Sequence, residues 1–339
     1  MKIFVLSFKK FLFTFLILAF ILSLVLFSKS NLDAAQNGLL IWTNSIIPSL
    51  FPFFVATELL CSTNFINILG NYLNKLMRPL FNVPGQGSFA LIMGIISGYP
   101  TGAKIVCNLR ENRLCSKIEG ERMLTFTNNS GPLFILSVVG ISIFSNSEIG
   151  YLLLFTHILS ALTIGFIFKF WKRSLEINTK TNLPMKSNIN SNNFGTVLTE
   201  SIKKSIHSIL NIGGFVVLFS VIISILENLN LFNMFAKLLS LFNISENYSI
   251  PLFTGFLELS NGINKLNIAN ISNLSNLIII AAFLLGFGGI SITLQVYSII
   301  SKTDISIKPY ILGKLLQGFV ASFYTFLIIY FVPIFNLNF

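Results

Sequence analysis

The run Gly94-Ile95-Ile96-Ser97-Gly98-Tyr99-Pro100-Thr101-Gly102-Ala103-Lys104 sets a lysine just beyond a Gly/Pro break in an otherwise apolar stretch. Non-helical backbone inside an apolar layer is tolerated only where protein buries it or where it lines a cavity. Pro100 suits the first position of a new half-helix, whose unpaired N–H groups favour an anion. A lysine at the centre of a bilayer costs roughly 2.5–3.5 kcal/mol on insertion scales, so Lys104 must face a partner or an aqueous path, or snorkel outward. Ser97, Gly98, Tyr99, Thr101, Gly102 and Lys104 are therefore candidate substrate-binding residues.

Three further stretches have the same character. In Asn128-Asn129-Ser130-Gly131-Pro132, Asn129 or Ser130 can cap, Gly131 allows close backbone approach, and Pro132 starts a second half-helix. Two helix N-termini aimed at one place would reinforce the positive field on a carboxylate. Gly255-Phe256-Leu257-Glu258-Leu259-Ser260-Asn261-Gly262 joins an intramembrane carboxylate to a helix break; Glu258 can carry a coupling proton, help to hold sodium, or pair with Lys104. Gly286-Phe287-Gly288-Gly289-Ile290-Ser291, with Gln295, completes the set, although its glycines equally suit close helix packing. Asn128, Asn129, Ser130, Glu258, Ser260, Asn261, Gly289, Ser291 and Gln295 join the candidate binding residues. Glu58 and Glu227 lie near span ends and read as interfacial, and His157, with no spaced partner, reads as a structural hydrogen-bonding group.

Enzymatic readings find little support. Ser97-Gly98 lacks the setting of an intramembrane serine protease, and there is no phosphate-binding loop and no His-Glu-x-x-His. Cys61, Cys107 and Cys115 have neither disulfide-framework nor zinc-ligand spacing, so no metal or cofactor is expected beyond a coupling proton or sodium ion.

The elements that must hold these residues are membrane helices. Hydrophobic residues form 53% of the chain, charged residues 10%, and the mean hydropathy is +0.78, more apolar surface than a soluble domain can hide. Spanning segments are predicted at 11–27, 39–60, 123–144, 150–170, 209–228, 277–300 and 311–334. The interrupted stretches 88–109 and 249–265 read as re-entrant hairpins, and 65–81 and 229–242 as amphipathic surface helices. The first apolar run follows Lys2, Lys9 and Lys10 and is expected to be a retained helix, since Ser28-Lys29-Ser30 is a poor cleavage site.

Charge placement orders the topology. The net charge of +11 flanks apolar segments, which fits orientation in a bilayer and excludes nucleic acid as the partner. With the N-terminus inside and both hairpins turning back, only Lys29, Lys237 and Lys265 of the 23 lysines and arginines fall outside, and Lys104 lies within a hairpin. A full span at 88–109 would instead export Arg110, Arg113, Lys117 and Arg122, against the positive-inside rule.

The same order of elements occurs twice, and Gly94 of the first hairpin has its counterpart in Gly255 of the second. With an odd number of crossings in each half, the repeats are inverted, as in alternating-access transporters. The expected fold is an all-α polytopic membrane protein with two inverted-topology repeats. Each repeat has a re-entrant helical hairpin and a discontinuous or Gly-broken helix. Residues 1–38 form an anchor helix and short external segment, 39–170 the first repeat, 171–200 an Asn-rich cytoplasmic linker, and 201–339 the second repeat. An oligomer is compatible with this architecture.

The motifs Ser97–Lys104, Asn128-Asn129-Ser130-Gly131-Pro132-Leu133-Phe134 and Gly255 with Glu258, Asn261 and Gly262 resemble those of the sporulation integral membrane proteins of the YlbJ type. These belong to a wider set with the nucleoside-recognition "Gate" motif and are similar in fold to concentrative nucleoside transporters. The resemblance covers roughly 39–334. Gly131 stands where a small polar residue is usual. The resemblance implies a role in endospore formation, in the mother-cell (outer forespore) membrane, moving dipicolinic acid towards the forespore. Two half-helix N-termini and Lys104 suit the two carboxylates, and Tyr99 suits the ring. The alternatives are a permease for a nucleoside or another metabolite, and a non-transporting scaffold for spore cortex assembly.

Overall fold

The structure, a computed structural model, describes residues 2–172, 193–241, 245–268 and 274–331. Among these every regular element is helical. The chain opens with α1 (Lys2–Leu26), α2 (Ser28–Ile41), a π-helical turn (Trp42–Ile46) and α3 (Ile47–Cys61). It continues through α4 (Phe65–Phe81), α5 (Gly87–Ser97), α6 (Thr101–Glu111), α7 (Lys117–Thr127), a π-helix (Phe134–Ile143) and α8 (Ser147–Phe168). The rest comprises α9 (Phe194–Asn228), α10 (Leu231–Ser240), α11 (Glu246–Leu257), α12 (Leu259–Ile268), α13 (Leu274–Phe287), α14 (Gly289–Ile300) and α15 (Lys308–Phe331). Five helical stretches are long and apolar enough to cross a membrane: Ser28–Cys61, Ser147–Phe168, Phe194–Asn228, Leu274–Ile300 and Lys308–Phe331.

The interruptions fall where the Gly/Pro pattern places them. Gly98 (φ 75°) separates α5 from α6, and Gly288 and Gly289 (φ 84° and 86°) separate α13 from α14, all in the left-handed region that a Cβ disfavours. The α5–α6 and α11–α12 pairs each fold back and pack against each other. Their contact depends on missing side chains: a Cβ on Gly94 would lie 3.2 Å from Gly102 Cα, and one on Gly262 2.1 Å from Gly255 Cα. Gly102 in turn lets α6 approach α7, where its Cβ would lie 2.0 Å from the Thr127 carbonyl oxygen. α4 and α10 are amphipathic, with Ile66, Gly70, Met77 and Phe81 buried on one and Phe232 and Ala236 on the other.

α15 is the strut that joins the two halves. It packs along α13, α8 and α7. Gly313 lets Thr125 of α7 approach, and Gly318 does the same for Phe283 of α13. At the polar ends, Arg122 is fully buried and donates to the Trp171 and Asn82 carbonyls, which ties α7 to the ends of α8 and α4. The loop after α14 is held to α6 by a bidentate Arg110–Asp304 pair, 2.9 Å in both arms. Those hydrogen bonds hold the Asp304 carboxyl below its ordinary range, so the pair persists at neutral pH and is released as acid takes the pH through that lowered value.

Several expectations are corrected. The segment 28–38 is helical and runs without interruption into α3, because nothing in Ser28–Gly38 breaks a helix. The segment 123–144 is two elements, α7 and the π-helix, parted at 128–131. α9 begins at Phe194, so 194–200 is helical; residues 173–192 of the expected linker and 332–334 of the last span lie outside the described residues. Arg122 and Lys314, assigned by the sequence only to a side of the membrane, are fully buried and bonded to carbonyl oxygens.

Replacing Gly102 with Val should force α6 off α7 and cost about 2–3 kcal/mol or more. Thermal unfolding of the detergent-purified protein would read this as a lowered midpoint, whereas Gly214→Ala, inside α9 with open space at its Cβ, should not lower it.

Candidate functional site

The four helix breaks meet. Tyr99 from the first donates from its hydroxyl to the Leu285 carbonyl (3.0 Å) and lies against Gly288 of the fourth, where a Cβ would come within 3.1 Å of Tyr99 Oη. Gly98 abuts Gly131 of the second, and Gly289 abuts the Gly255 carbonyl beside the third. Between them is a cavity of about 60 Å³, lined by Tyr99, Ser130, Glu258, Ser260 and Gln295 together with apolar side chains. It has room for only a few water-sized groups. α14 enters this region with no side-chain cap at its N-terminus, while at α6 the Ala103 N–H donates to Asn128 Oδ1 (3.4 Å). Glu258 serves its own helix: Oε2 accepts from the backbone N–H and the amide of Asn261, both at 2.8 Å, and Asn261 Nδ2 also reaches Ser220 Oγ at 3.0 Å.

Behind the second break lies a buried polar network. Asn128 donates to Tyr310 Oη (3.0 Å), and its carbonyl accepts from Lys314 Nζ (3.0 Å). Lys314 also donates to Gln317 Oε1 (2.7 Å), and Gln317 Nε2 donates to Asn129 Oδ1 (3.0 Å). Asn129 Nδ2 reaches the Phe126 carbonyl (2.8 Å), and His157 Nε2 accepts the Ser130 N–H (3.1 Å), the structural hydrogen bond expected of this histidine. Every residue of the set is 2% exposed or less, so each bond replaces one that water cannot supply.

A larger cavity of about 630 Å³ lies between α3, α6, α9 and α14. Lys104, Lys204, Lys302, Glu58, Glu111 and Glu200 line it, and Ile212 and Gln295 line both cavities. Lys104 Nζ bridges Glu58 Oε1 of α3 and Ser208 Oγ of α9, 2.8 Å from each, with Lys204 4.0 Å from the other Glu58 oxygen.

The candidate residues thus divide. Tyr99, Ser130, Glu258, Ser260 and Gln295 line the inner cavity, while Thr101 and Lys104 line the outer one. Asn128 and Asn129 act behind the break. Ser97 is buried against Thr57 (2.9 Å), Gly102 packs on Thr127, and Ser291 is buried within 3.4 Å of Gln295. The Lys104–Glu258 pairing is not formed; Lys104 pairs with Glu58, which is part of the cavity wall. Glu227 pairs with Lys265. Tyr310, Lys314 and Gln317 escape a motif search because they sit on an unbroken helix. The signal available was a lysine and a glutamine one helical turn apart in an apolar span.

Gln317→Leu should leave Lys314 short of an acceptor and Asn129 Oδ1 without its donor, costing about 2–4 kcal/mol. Tyr310→Phe removes one neutral bond and should cost about 1–2 kcal/mol. Thermal unfolding in detergent compares them, and equal or absent losses would contradict the network.

The "Gate" family, described as nucleoside recognition, matches residues 44–170, a range that contains the first two breaks. The chain is 35% identical to the sporulation integral membrane protein YlbJ of Bacillus subtilis (strain 168), over 88% of this chain and 78% of that protein. No solved structure matches. The breaks, the apolar helices and this identity together make the chain a multi-pass integral membrane protein that belongs to the YlbJ family of sporulation integral membrane proteins.

Proposed function

We propose that this protein is a secondary-type transporter of a small organic anion, and that the anion is dipicolinate, moved across the outer forespore membrane during sporulation. The observation that carries the reading is the lysine-bearing cavity of about 630 Å³, which reaches the first helix break at Pro100 and Thr101 and shares Ile212 and Gln295 with the inner cavity. That volume falls in the range of small-molecule sites. Lys104, Lys204 and Lys302 supply cations for carboxylates, the uncapped start of α14 adds N–H donors, and Tyr99 offers a ring beside the inner cavity. The inner cavity is too small for a pyridine dicarboxylate, so the substrate rests in the outer one and passes when the breaks separate.

Two inverted repeats give this movement a mechanism. The reading is supported by the order of elements: α3, α4, α5–α6, α7 with its π-helix, and α8 correspond in turn to α9, α10, α11–α12, α13–α14 and α15. In this scheme α5–α6 and α11–α12 are re-entrant hairpins, and rocking of one repeat against the other exposes the breaks alternately. Glu58 holds Lys104 in the absence of substrate, so an incoming carboxylate competes with it.

One observation favours a second reading, a nucleoside or other neutral metabolite. The inner cavity is lined by Glu258, Ser260 and Gln295 and by no lysine or arginine among the described residues. Uptake into proteoliposomes separates the readings. Dipicolinate should accumulate with wild type, and Lys104→Gln should reduce uptake about tenfold or more. Nucleoside uptake that ignores Lys104 would favour the second reading, and uptake of neither under any imposed gradient would leave a scaffold role.

A further inference from the structure

Lys314 is fully buried on α15, and among the described residues no carboxylate lies within ion-pair distance of it. Its surroundings nevertheless suit an ammonium. Three directions from Nζ meet the Asn128 carbonyl oxygen at 3.0 Å, Gln317 Oε1 at 2.7 Å and the face of the Tyr99 ring, whose centroid is 5.0 Å away. That accounts for its three donors. The oxygens are set in advance. The Asn128 carbonyl lies at the break that ends α7, and Gln317 spends its amide on Asn129 Oδ1, which turns Oε1 towards Lys314.

Backbone carbonyls at a helix break, joined by a side-chain oxygen, are the groups with which transporters of this general design coordinate a mobile cation. Here the place is filled by a cation that cannot leave. We propose that Lys314 is a resident cation occupying a built cation site, so that the second break carries its own positive charge and requires no sodium ion. The Tyr99 ring separates this charge from the inner cavity, and the cavity therefore faces a constant positive field whatever the ionic composition outside. The inference deepens the transporter reading, but the site itself is testable without any cargo.

The test is thermal unfolding of the full-length protein in detergent, in sodium, lithium, methylammonium or choline chloride at one ionic strength. Wild type should melt at the same temperature in all four. Lys314→Ser should melt lower in choline and recover, saturably and by about 5 °C, in sodium or methylammonium. Lys314→Met, which fills the space with apolar atoms, should show no recovery. A wild type stabilised by sodium over choline, or a Lys314→Ser protein indifferent to every cation, overturns the proposal. If Lys314→Ser does not fold, sodium titration of wild type decides: indifference supports the resident cation and stabilisation refutes it. Absence of dipicolinate uptake in liposomes would sink the cargo while leaving these melting results to stand by themselves.

Discussion

Backbone polar groups released by a helix break must find hydrogen bonds inside the protein, because an apolar surrounding offers none. At 128–130 that demand is met from a distance: α15 brings Tyr310, Lys314 and Gln317, and α8 brings His157. The rest of the architecture follows from this constraint. α15 has to pass close to α7, which explains why Gly313 sits under Thr125. It also has to remain unbroken, because its side chains replace the ladder that the other helices give up.

The same requirement explains the unequal treatment of the four breaks. The second is locked by bonds to neighbouring helices. The third is satisfied locally, with Glu258 capping α12 through Asn261. The first and fourth rely on glycine geometry and on Tyr99, whose hydroxyl reaches Leu285 across the two halves. At the start of α6 the Thr101 and Ala103 N–H groups donate to the Gly98 carbonyl and to Asn128 Oδ1, whereas α14 starts without a side-chain cap.

Charge is organised in two layers. The outer cavity has acidic and basic groups that can exchange partners, with Lys104 held between α3 and α9 by Glu58 and Ser208. The inner layer has the Lys314 amine, held by two oxygens and facing an aromatic ring, with no carboxylate in ion-pair distance among the described residues.

Membrane embedding, the amphipathic character of α4 and α10, and the position of every break were legible in the sequence. Hydropathy and Gly/Pro effects act residue by residue and add along the chain. Ser97, Asn128 and Glu258 were recognised as polar groups in apolar surroundings, but their partners were not. Glu58 does not announce Lys104, 46 residues away, as its partner, and nothing near Lys314 points to its carbonyl acceptor 186 residues away. Pairing depends on two positions at once and on the packing between them, so it is decided only when the helices are assembled. The sequence determined that a membrane protein would break its helices at these four places; the tertiary structure decided that one buried lysine would hold the second break together.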